Sequence, residues 1–151
     1  MSSPSKRVFL LGRDISRSIS PYVQNAAFRK LGINAKYELK ELNRKGLGEF
    51  ISHLSEFQYI LGFNVTSPFK EEAIKYISSN DFRSKSIGAV NTVKITKTKG
   101  MQGFNTDYDG IIASLKRLGV CQALGRKALL LGPAELLELA FRLFSIADTQ
   151  M

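Results

Sequence analysis

Three segments of this 151-residue chain place acid–base and hydrogen-bonding side chains directly after apolar runs. The segments are Asn64–Lys70, Ile87–Thr92 and Asn105–Asp107, and they supply amide, hydroxyl, ammonium and carboxylate groups. Because open α/β sheets bind ligands at the carboxyl ends of their strands, side chains that follow strands are expected to meet there. The three segments are therefore predicted to line one small-molecule pocket.

Lys70 and Asp107 are the two charged residues of these segments that we expect to perform acid–base chemistry. Lys70 falls at the start of a predicted helix, where its charge opposes the helix dipole, and this placement indicates a role other than capping. For Asp107, which also precedes a predicted helix, an N-cap role is the alternative. If the two meet at neighbouring strand ends, the carboxylate can orient the ammonium group while the lysine exchanges a proton with a substrate.

Neutral polar side chains complete the predicted pocket. Asn64, Thr66 and Asn91 carry amide and hydroxyl groups of the kind that select a polyhydroxylated ring. Ser18 and Ser20 lie two residues apart at a predicted helix entry, where hydroxyl and free helix N–H groups can bind a carboxylate. For an isolated serine pair, the alternative is that Ser20 is only an N-cap and Ser18 only a turn residue. Together the groups favour a cyclic hydroxy acid as the ligand.

Strand and helix patterns alternate along the first 119 residues. Strands are predicted at residues 7–11, 36–42 and 59–65, with a hairpin at 90–95 and 101–104, and helices at 20–31, 47–54, 70–77 and 109–118. The pairs Ser20–Pro21 and Ser67–Pro68 each predict a capped helix start. This alternation predicts an α/β fold with a mostly parallel sheet and helices on both faces.

The last part of the chain has the pattern of a second domain that stops early. Residues 120–125 are a predicted linker, 127–132 a strand and 133–146 a helix, so the predicted domains are 1–119 and 120–151. One strand and one helix cannot bury a core, because a βαβ unit needs its second strand. The helix has an apolar side, and self-association through this tail is the expected result. That side consists of Leu136, Leu137, Ala140, Phe141 and Phe144.

Composition narrows the class of protein. Hydrophobic residues make up 44% of the chain and charged residues 23%, as in ordinary globular proteins. No apolar run reaches the roughly 18 to 20 residues that a membrane helix needs, so no membrane association is expected. The net charge of +9 raises a nucleic-acid alternative. That alternative is disfavoured because basic and aromatic residues are not interleaved, and the basic stretch Lys94–Lys99 is typical of a solvated hairpin edge.

Cysteine and histidine usage leaves few options for metal or nucleophilic chemistry. Cys121 is the only cysteine and His53 the only histidine. One cysteine cannot build a disulfide framework or a cysteine-ligated metal cluster, so we expect no metal. A reducing, cytoplasmic compartment is the corresponding expectation, and the first seven residues lack the long apolar run of a secretory signal.

The polar segments also resemble a known family. Ser18-Ile19-Ser20-Pro21, Asn64–Lys70, Gly88–Thr92 and Asn105–Asp107 are similar, in order, to four motifs of the substrate domain of shikimate dehydrogenases. The resemblance runs from about Val8 to Gly119. It implies NADP-dependent, reversible reduction of 3-dehydroshikimate to shikimate, a step of chorismate and aromatic amino-acid biosynthesis. Quinate is the alternative substrate.

The resemblance also implies a role for each matching residue. Lys70 is the implied proton donor and Asp107 its partner. Ser18 and Ser20 are implied to hold the substrate carboxylate. Asn91 is implied to bind a ring hydroxyl, and Thr66 is implied to be a further residue of the substrate site.

Two segments depart from the family pattern. Gly12-Arg13-Asp14-Ile15 lacks a proline that the family often has near the first strand. Gly132-Pro133-Ala134-Glu135 stands where a glycine-rich phosphate loop is expected, and only Gly132 remains as a degenerate cofactor contact. The isolated chain is therefore predicted to lack NADP-dependent activity. The alternative function is a shikimate-binding or regulatory module without redox activity.

Overall fold

The computed structural model describes residues 5–43, 45–54 and 59–119, which contain six strands and five α-helices. The strands are β1 (Lys6–Gly12), β2 (Ala35–Glu41), β3 (Ile60–Val65), β4 (Ser79–Asn80), β5 (Thr92–Thr96) and β6 (Gly100–Phe104). The helices are α1 (Ser20–Lys30), α2 (Gly46–Ser52), α3 (Lys70–Ala73), α4 (Phe82–Ile87) and α5 (Thr106–Arg117). A 3₁₀ turn, Ile74–Tyr76, continues α3.

The strands form one sheet in the order β2-β1-β3-β5-β6-β4. β1 pairs in parallel with both β2 and β3, and β4 pairs in parallel with β6. β5 is antiparallel to both of its neighbours, β3 and β6. Among the described strands β5 alone is therefore reversed, so its first residue lies at the same sheet edge as the last residues of β1, β3 and β6. The mostly parallel sheet predicted from the sequence is confirmed.

Both faces of the sheet are covered, because successive side chains of a strand point to opposite faces. Phe9 and Leu11 of β1 belong to the larger core, together with residues of α2 and α3 such as Phe50 and Ala73. Leu10, between them, belongs to a smaller core on the other face, against which Phe28 of α1 packs. The predicted placement of helices on both faces is confirmed.

Two short elements, β4 and α4, were missed by the sequence patterns because neither is long enough to show a period. Their boundaries are nevertheless set by recognisable residues. The Asp81 carboxylate accepts a hydrogen bond from the Ser84 N–H group at 2.8 Å and caps α4. Gly88 ends the same helix with a left-handed φ of 75°, a conformation that glycine adopts without strain.

The two predicted serine caps are wrong. Ser20 is the first residue of α1, and Ile19 occupies the N-cap position without a side-chain hydrogen bond. The Ser67–Pro68 peptide bond is cis, and α3 begins two residues later, at Lys70, again without a side-chain cap. A Ser-Pro pair is a signal for a turn as well as for a helix start, and here the turn comes first.

The predictions for the end of the chain concern residues outside the described ranges. They are the linker 120–125, the strand 127–132, the helix 133–146, Cys121, Gly132 and self-association through the tail. Within residues 5–119, leaving out the gaps at 44 and 55–58, no helix is both long and apolar enough to cross a membrane.

Candidate functional site

The loops after β1, β3 and β6 and the loop before β5 converge at one edge of the sheet. Backbone hydrogen bonds join two of them, from Thr66 N–H to the Leu11 carbonyl at 2.9 Å and from Arg13 N–H to the Ser67 carbonyl at 3.3 Å. Gly12 permits this close approach, because a Cβ atom there would lie 2.5 Å from the Thr66 Cγ2 atom. The glycine therefore fixes the separation of the two loops.

The segment that departs from the family pattern has its own backbone geometry. Asp14 has a φ of 55°, which proline cannot adopt. Its N–H group donates to the Glu41 carboxylate at 3.0 Å and ties the loop to the end of β2. The missing proline is thus replaced by a different turn, and the loop still leads into α1.

Lys70 and Asp107 form the ion pair that their types and positions predicted. The Lys70 ammonium group donates to Asp107 Oδ2 at 2.7 Å, and the two side chains are 32% and 34% exposed. Lys70 is the first residue of α3, and its carbonyl accepts from the Val90 N–H group at 2.8 Å. The pair is open enough for a ligand to reach it, and after bonding Asp107 the ammonium group retains two N–H donors.

Asn105, not Asp107, caps α5. Its amide oxygen accepts from the Tyr108 N–H group at 3.2 Å, and its amide nitrogen donates to the Ala89 carbonyl at 3.0 Å. The capping alternative for Asp107 is therefore excluded, and the Asp107 carboxylate pairs with Lys70 instead.

No described residue of α5 is buried, so polar contacts rather than core packing hold its first turn in place. Arg83 of α4 donates to the Asp109 carboxylate at 2.8 Å. The same guanidinium group lies 5.3 Å from the centre of the Tyr108 ring. These contacts anchor the turn that carries Asp107.

A chain of hydrogen bonds crosses the sheet edge from β2 to α5. The Tyr37 hydroxyl donates to Asn64 Oδ1 at 2.8 Å, and Asn64 Nδ2 donates to the Thr92 hydroxyl at 2.9 Å. The Thr92 hydroxyl donates to Asn91 Oδ1 at 2.9 Å, and Asn91 Nδ2 donates to the Thr106 hydroxyl at 3.0 Å. The chain links two predicted site residues, Asn64 and Asn91, through residues that the sequence reasoning did not select.

Ser18 and Ser20, the predicted carboxylate ligands, are in contact with each other. The Ser18 hydroxyl donates to the Ser20 hydroxyl at 3.1 Å and accepts from the Ser20 N–H group at 3.3 Å. They lie at the first turn of α1, in the loop that follows β1. The Thr66 hydroxyl, at the end of β3, has no hydrogen-bond partner among the described residues and is free to meet a ligand.

Two side chains of β2, Tyr37 and Glu38, have shifted pKa values. Burial raises the pKa of Tyr37 to about 12, so its hydroxyl keeps its proton at any physiological pH. Burial also acts to raise the pKa of Glu38, but hydrogen bonds from Lys36 and Arg7 outweigh it and lower that pKa below its ordinary value. The Tyr37 hydroxyl is therefore a permanent donor to Asn64.

Comparison with known proteins gives one consistent result. The family of the shikimate dehydrogenase substrate binding domain matches residues 10–93. The shikimate dehydrogenase (NADP(+)) of Nitrosopumilus maritimus is 39% identical over 115 residues, which are 76% of this chain and 41% of that protein.

Solved structures agree. The crystal structure of shikimate dehydrogenase 1 from Peptoclostridium difficile is 29% identical, with a TM-score of 0.81 over 93% of this chain and 51% of that one. The Thermus thermophilus shikimate 5-dehydrogenase, solved in complex with NADP(H) and shikimate, is 31% identical, with a TM-score of 0.68 over 76% of this chain and 42% of that one. The chain spans about half, or less, of the length of these relatives.

Proposed function

The chain belongs to the family of the shikimate dehydrogenase substrate binding domain, and from that premise we propose that it is the substrate-binding part of an NADP-dependent shikimate dehydrogenase. The observation that carries the proposal is the Lys70–Asp107 ion pair, 2.7 Å long, at the sheet edge where the predicted site residues gather. The expected reaction is the reversible reduction of 3-dehydroshikimate to shikimate.

Proton transfer is the part of that reaction that we assign to this chain's own residues. In the reducing direction, Lys70 gives a proton to the oxygen of the ring ketone as it becomes a hydroxyl. Asp107 holds the ammonium group in place through the 2.7 Å hydrogen bond. In the oxidising direction the neutral Lys70 amine takes the hydroxyl proton back.

Substrate orientation falls to the neutral groups. Ser18 and Ser20, at the first turn of α1, are assigned to the substrate carboxylate, since free helix N–H groups and hydroxyls favour an anion. The free Thr66 hydroxyl and the amide groups of Asn64 and Asn91 are assigned to the ring hydroxyls. The net charge of +9 would raise the local concentration of an anionic substrate.

NADPH would supply the hydride. Its pyrophosphate is bound by a glycine-rich turn between a strand and a helix, where the backbone approaches the phosphates closely. Gly12 ends β1, but the Cβ direction there is filled by Thr66 Cγ2 at 2.5 Å and Ile15 Cγ2 at 2.6 Å, so this turn is not open to a pyrophosphate. Gly132 lies outside the described residues. We therefore assign no cofactor contact to residues 5–119.

A shikimate-binding or regulatory module without redox activity is the second candidate. It is favoured by Gly132-Pro133-Ala134-Glu135, which lacks the glycines of a phosphate loop. In either case we propose a cytoplasmic location, in keeping with one cysteine in 151 residues.

Ligand titration by NMR tests the proposal. Shikimate should shift backbone signals at Ser18, Thr66 and Asp107, with weak affinity because a site open on one side stays hydrated. Lys70→Ala should abolish or displace the Asp107 shift, whereas Lys75→Ala, an exposed lysine on the next turn, should not. Absence of any shift at millimolar shikimate would refute substrate binding. An NADPH absorbance assay with 3-dehydroshikimate, run on a version fused to a complete cofactor domain, then separates the substrate-binding part of an enzyme, which should turn over, from a module without redox activity, which should not.

A further inference from the structure

The Thr92 hydroxyl lies between the amide groups of two predicted site residues. It accepts from Asn64 Nδ2 at 2.9 Å and donates to Asn91 Oδ1 at 2.9 Å. Thr92 begins β5 and is directly opposite Asn64 of β3 in the register of the sheet. Because β5 is the reversed strand, this hydroxyl reaches the ligand edge rather than the far edge.

Main-chain groups fix which way round each amide sits. Asn64 Nδ2 also faces the Asn91 carbonyl at 3.2 Å, and a carbonyl can only accept. Asn91 Oδ1 also faces the Thr106 N–H group at 3.1 Å, and an N–H group can only donate. Neither amide can be turned over without placing donor against donor or acceptor against acceptor.

Thr92 must therefore accept on one side and donate on the other. A hydroxyl group can do both at once, whereas a methyl group can do neither. Tyr37 completes the arrangement at the other end, because its hydroxyl donates to Asn64 Oδ1 at 2.8 Å and its side chain is only 4% exposed.

The remaining hydrogen-bonding capacity of each amide follows by counting. Both N–H bonds of Asn64 are used inside the protein, so only one lone pair of its Oδ1 atom is left. The Oδ1 atom of Asn91 is occupied by Thr92 and Thr106, while one of its two N–H bonds has no partner among the described residues. Asn91 can thus offer a ligand a donor, and Asn64 only an acceptor.

We propose that Thr92 is a positioning residue of the ligand site, with Tyr37 in the same role behind Asn64. Together they hold the two amides so that Asn91 donates to the ligand and Asn64 accepts from it. The proposal rests on the proposed function for the identity of the ligand, shikimate. The proposal also specifies which ligand group can bind Asn64. That group must be a hydroxyl that donates its proton, because Asn64 has no free N–H group for a ketone or ether oxygen.

The test uses variants that separate the hydroxyl from the bulk of Thr92. Thr92→Val keeps the shape and removes the hydroxyl, whereas Thr92→Ser keeps the hydroxyl and removes the methyl group. Tyr37→Phe removes the second hydroxyl, and Tyr59→Phe is its control, because Tyr59 is 54% exposed and precedes β3 at the opposite edge. For each variant the side-chain amide NMR signals of Asn64 and Asn91 and the shikimate affinity are measured.

Thr92→Val should shift or broaden both amide signals and weaken shikimate binding about tenfold, as expected when buried partners are left unpaired. Thr92→Ser should restore affinity to within about twofold of the wild type. Tyr37→Phe should alter the Asn64 signals, and Tyr59→Phe should alter neither the signals nor the affinity.

Each contrary result has a definite meaning. Equal affinity of wild type and Thr92→Val would overturn the positioning role while leaving shikimate binding intact. If Thr92→Ser binds as poorly as Thr92→Val, packing rather than the hydroxyl sets the site, and the proposal is wrong. If the wild type does not bind shikimate, the proposed function fails. The positioning role is then decided by the amide signals, and unchanged signals in Thr92→Val overturn it.

Discussion

Replacing Gly12 by alanine should push apart the two loops that frame the site. The new Cβ atom would lie 2.5 Å from Thr66 Cγ2 and 2.6 Å from Ile15 Cγ2, and real Cβ contacts are almost never closer than 3.0 Å. Thr66 and Ile15 are β-branched and have few alternative rotamers, so they cannot move aside cheaply. Gly12 is also held by the Leu42 N–H group, which donates to its carbonyl at 2.8 Å.

The expected cost is that of an overpacked core, about 1 to 3 kcal/mol in the free energy of unfolding. For a chain of this size that lowers the melting temperature by about 3 to 10 °C. Because Thr66 is an assigned ligand contact, shikimate affinity should fall as well.

Gly110→Ala is the matched control. Gly110 lies inside α5, and a Cβ atom there would meet nothing within 4 Å. Alanine is the better helix former by about 0.8 to 1 kcal/mol, so this variant should melt at a higher temperature than the wild type. Circular dichroism melts of both variants, followed by shikimate titrations, provide the comparison. A Gly12→Ala protein that melts within 1 °C of the wild type, about the error of such a melt, would refute the close-approach argument.

Three further outcomes are expected. In a version fused to a complete cofactor domain, Lys70→Ala should lower turnover about 100-fold or more. It should change the free energy of unfolding by only about 1 kcal/mol, because a partly exposed ion pair stabilises little. Rapid turnover of the variant in a stopped-flow assay would exclude Lys70 as the proton donor. Arg83→Asp and Asp109→Arg should each destabilise the first turn of α5, and the double variant should recover part of the loss in a double-mutant cycle of thermal melts. The pKa of Glu38 is lowered in the folded protein, so the unfolded chain binds more protons and the free energy of unfolding falls as the pH drops. Glu38→Gln should make that fall less steep between about pH 5 and 3. If urea titrations give the same pH dependence for the variant and the wild type, the argument is wrong.

Long periodic segments and the polar residues at their ends could be predicted from the sequence. The Lys70–Asp107 pair is the clearest case: a lysine at a helix start opposes the helix dipole and so calls for another role, and it gives that role to Asp107, which alone would have been explained as an N-cap. Which residue caps a helix could not be predicted, since Asn105 and Asp107 both have capping side chains, and only the observed hydrogen bond from the Tyr108 N–H group to the Asn105 side chain decides between them.

The hydrogen-bonded chain behind the site was also beyond sequence reasoning. Tyr37 and Thr92 lie in predicted strands, where a tyrosine or threonine is ordinarily explained by β-propensity alone. Their meeting at Asn64 depends on the register between β3 and β5 and on the order of the strands in the sheet. Neither can be read from residue types along one chain, because each strand could pair with several others at several offsets.

The reversed strand β5 also places the turn of its hairpin far from the ligand edge of the sheet. The hairpin leaves the ligand edge at Asn91, turns at Lys97–Lys99 and returns to that edge at Thr106, so its turn lies at the opposite edge of the sheet. The turn residues are exposed. A peptide tag or a dye inserted there would leave the ligand edge untouched. If the protein were immobilised on a sensor surface through that turn, its ligand edge would face the solution.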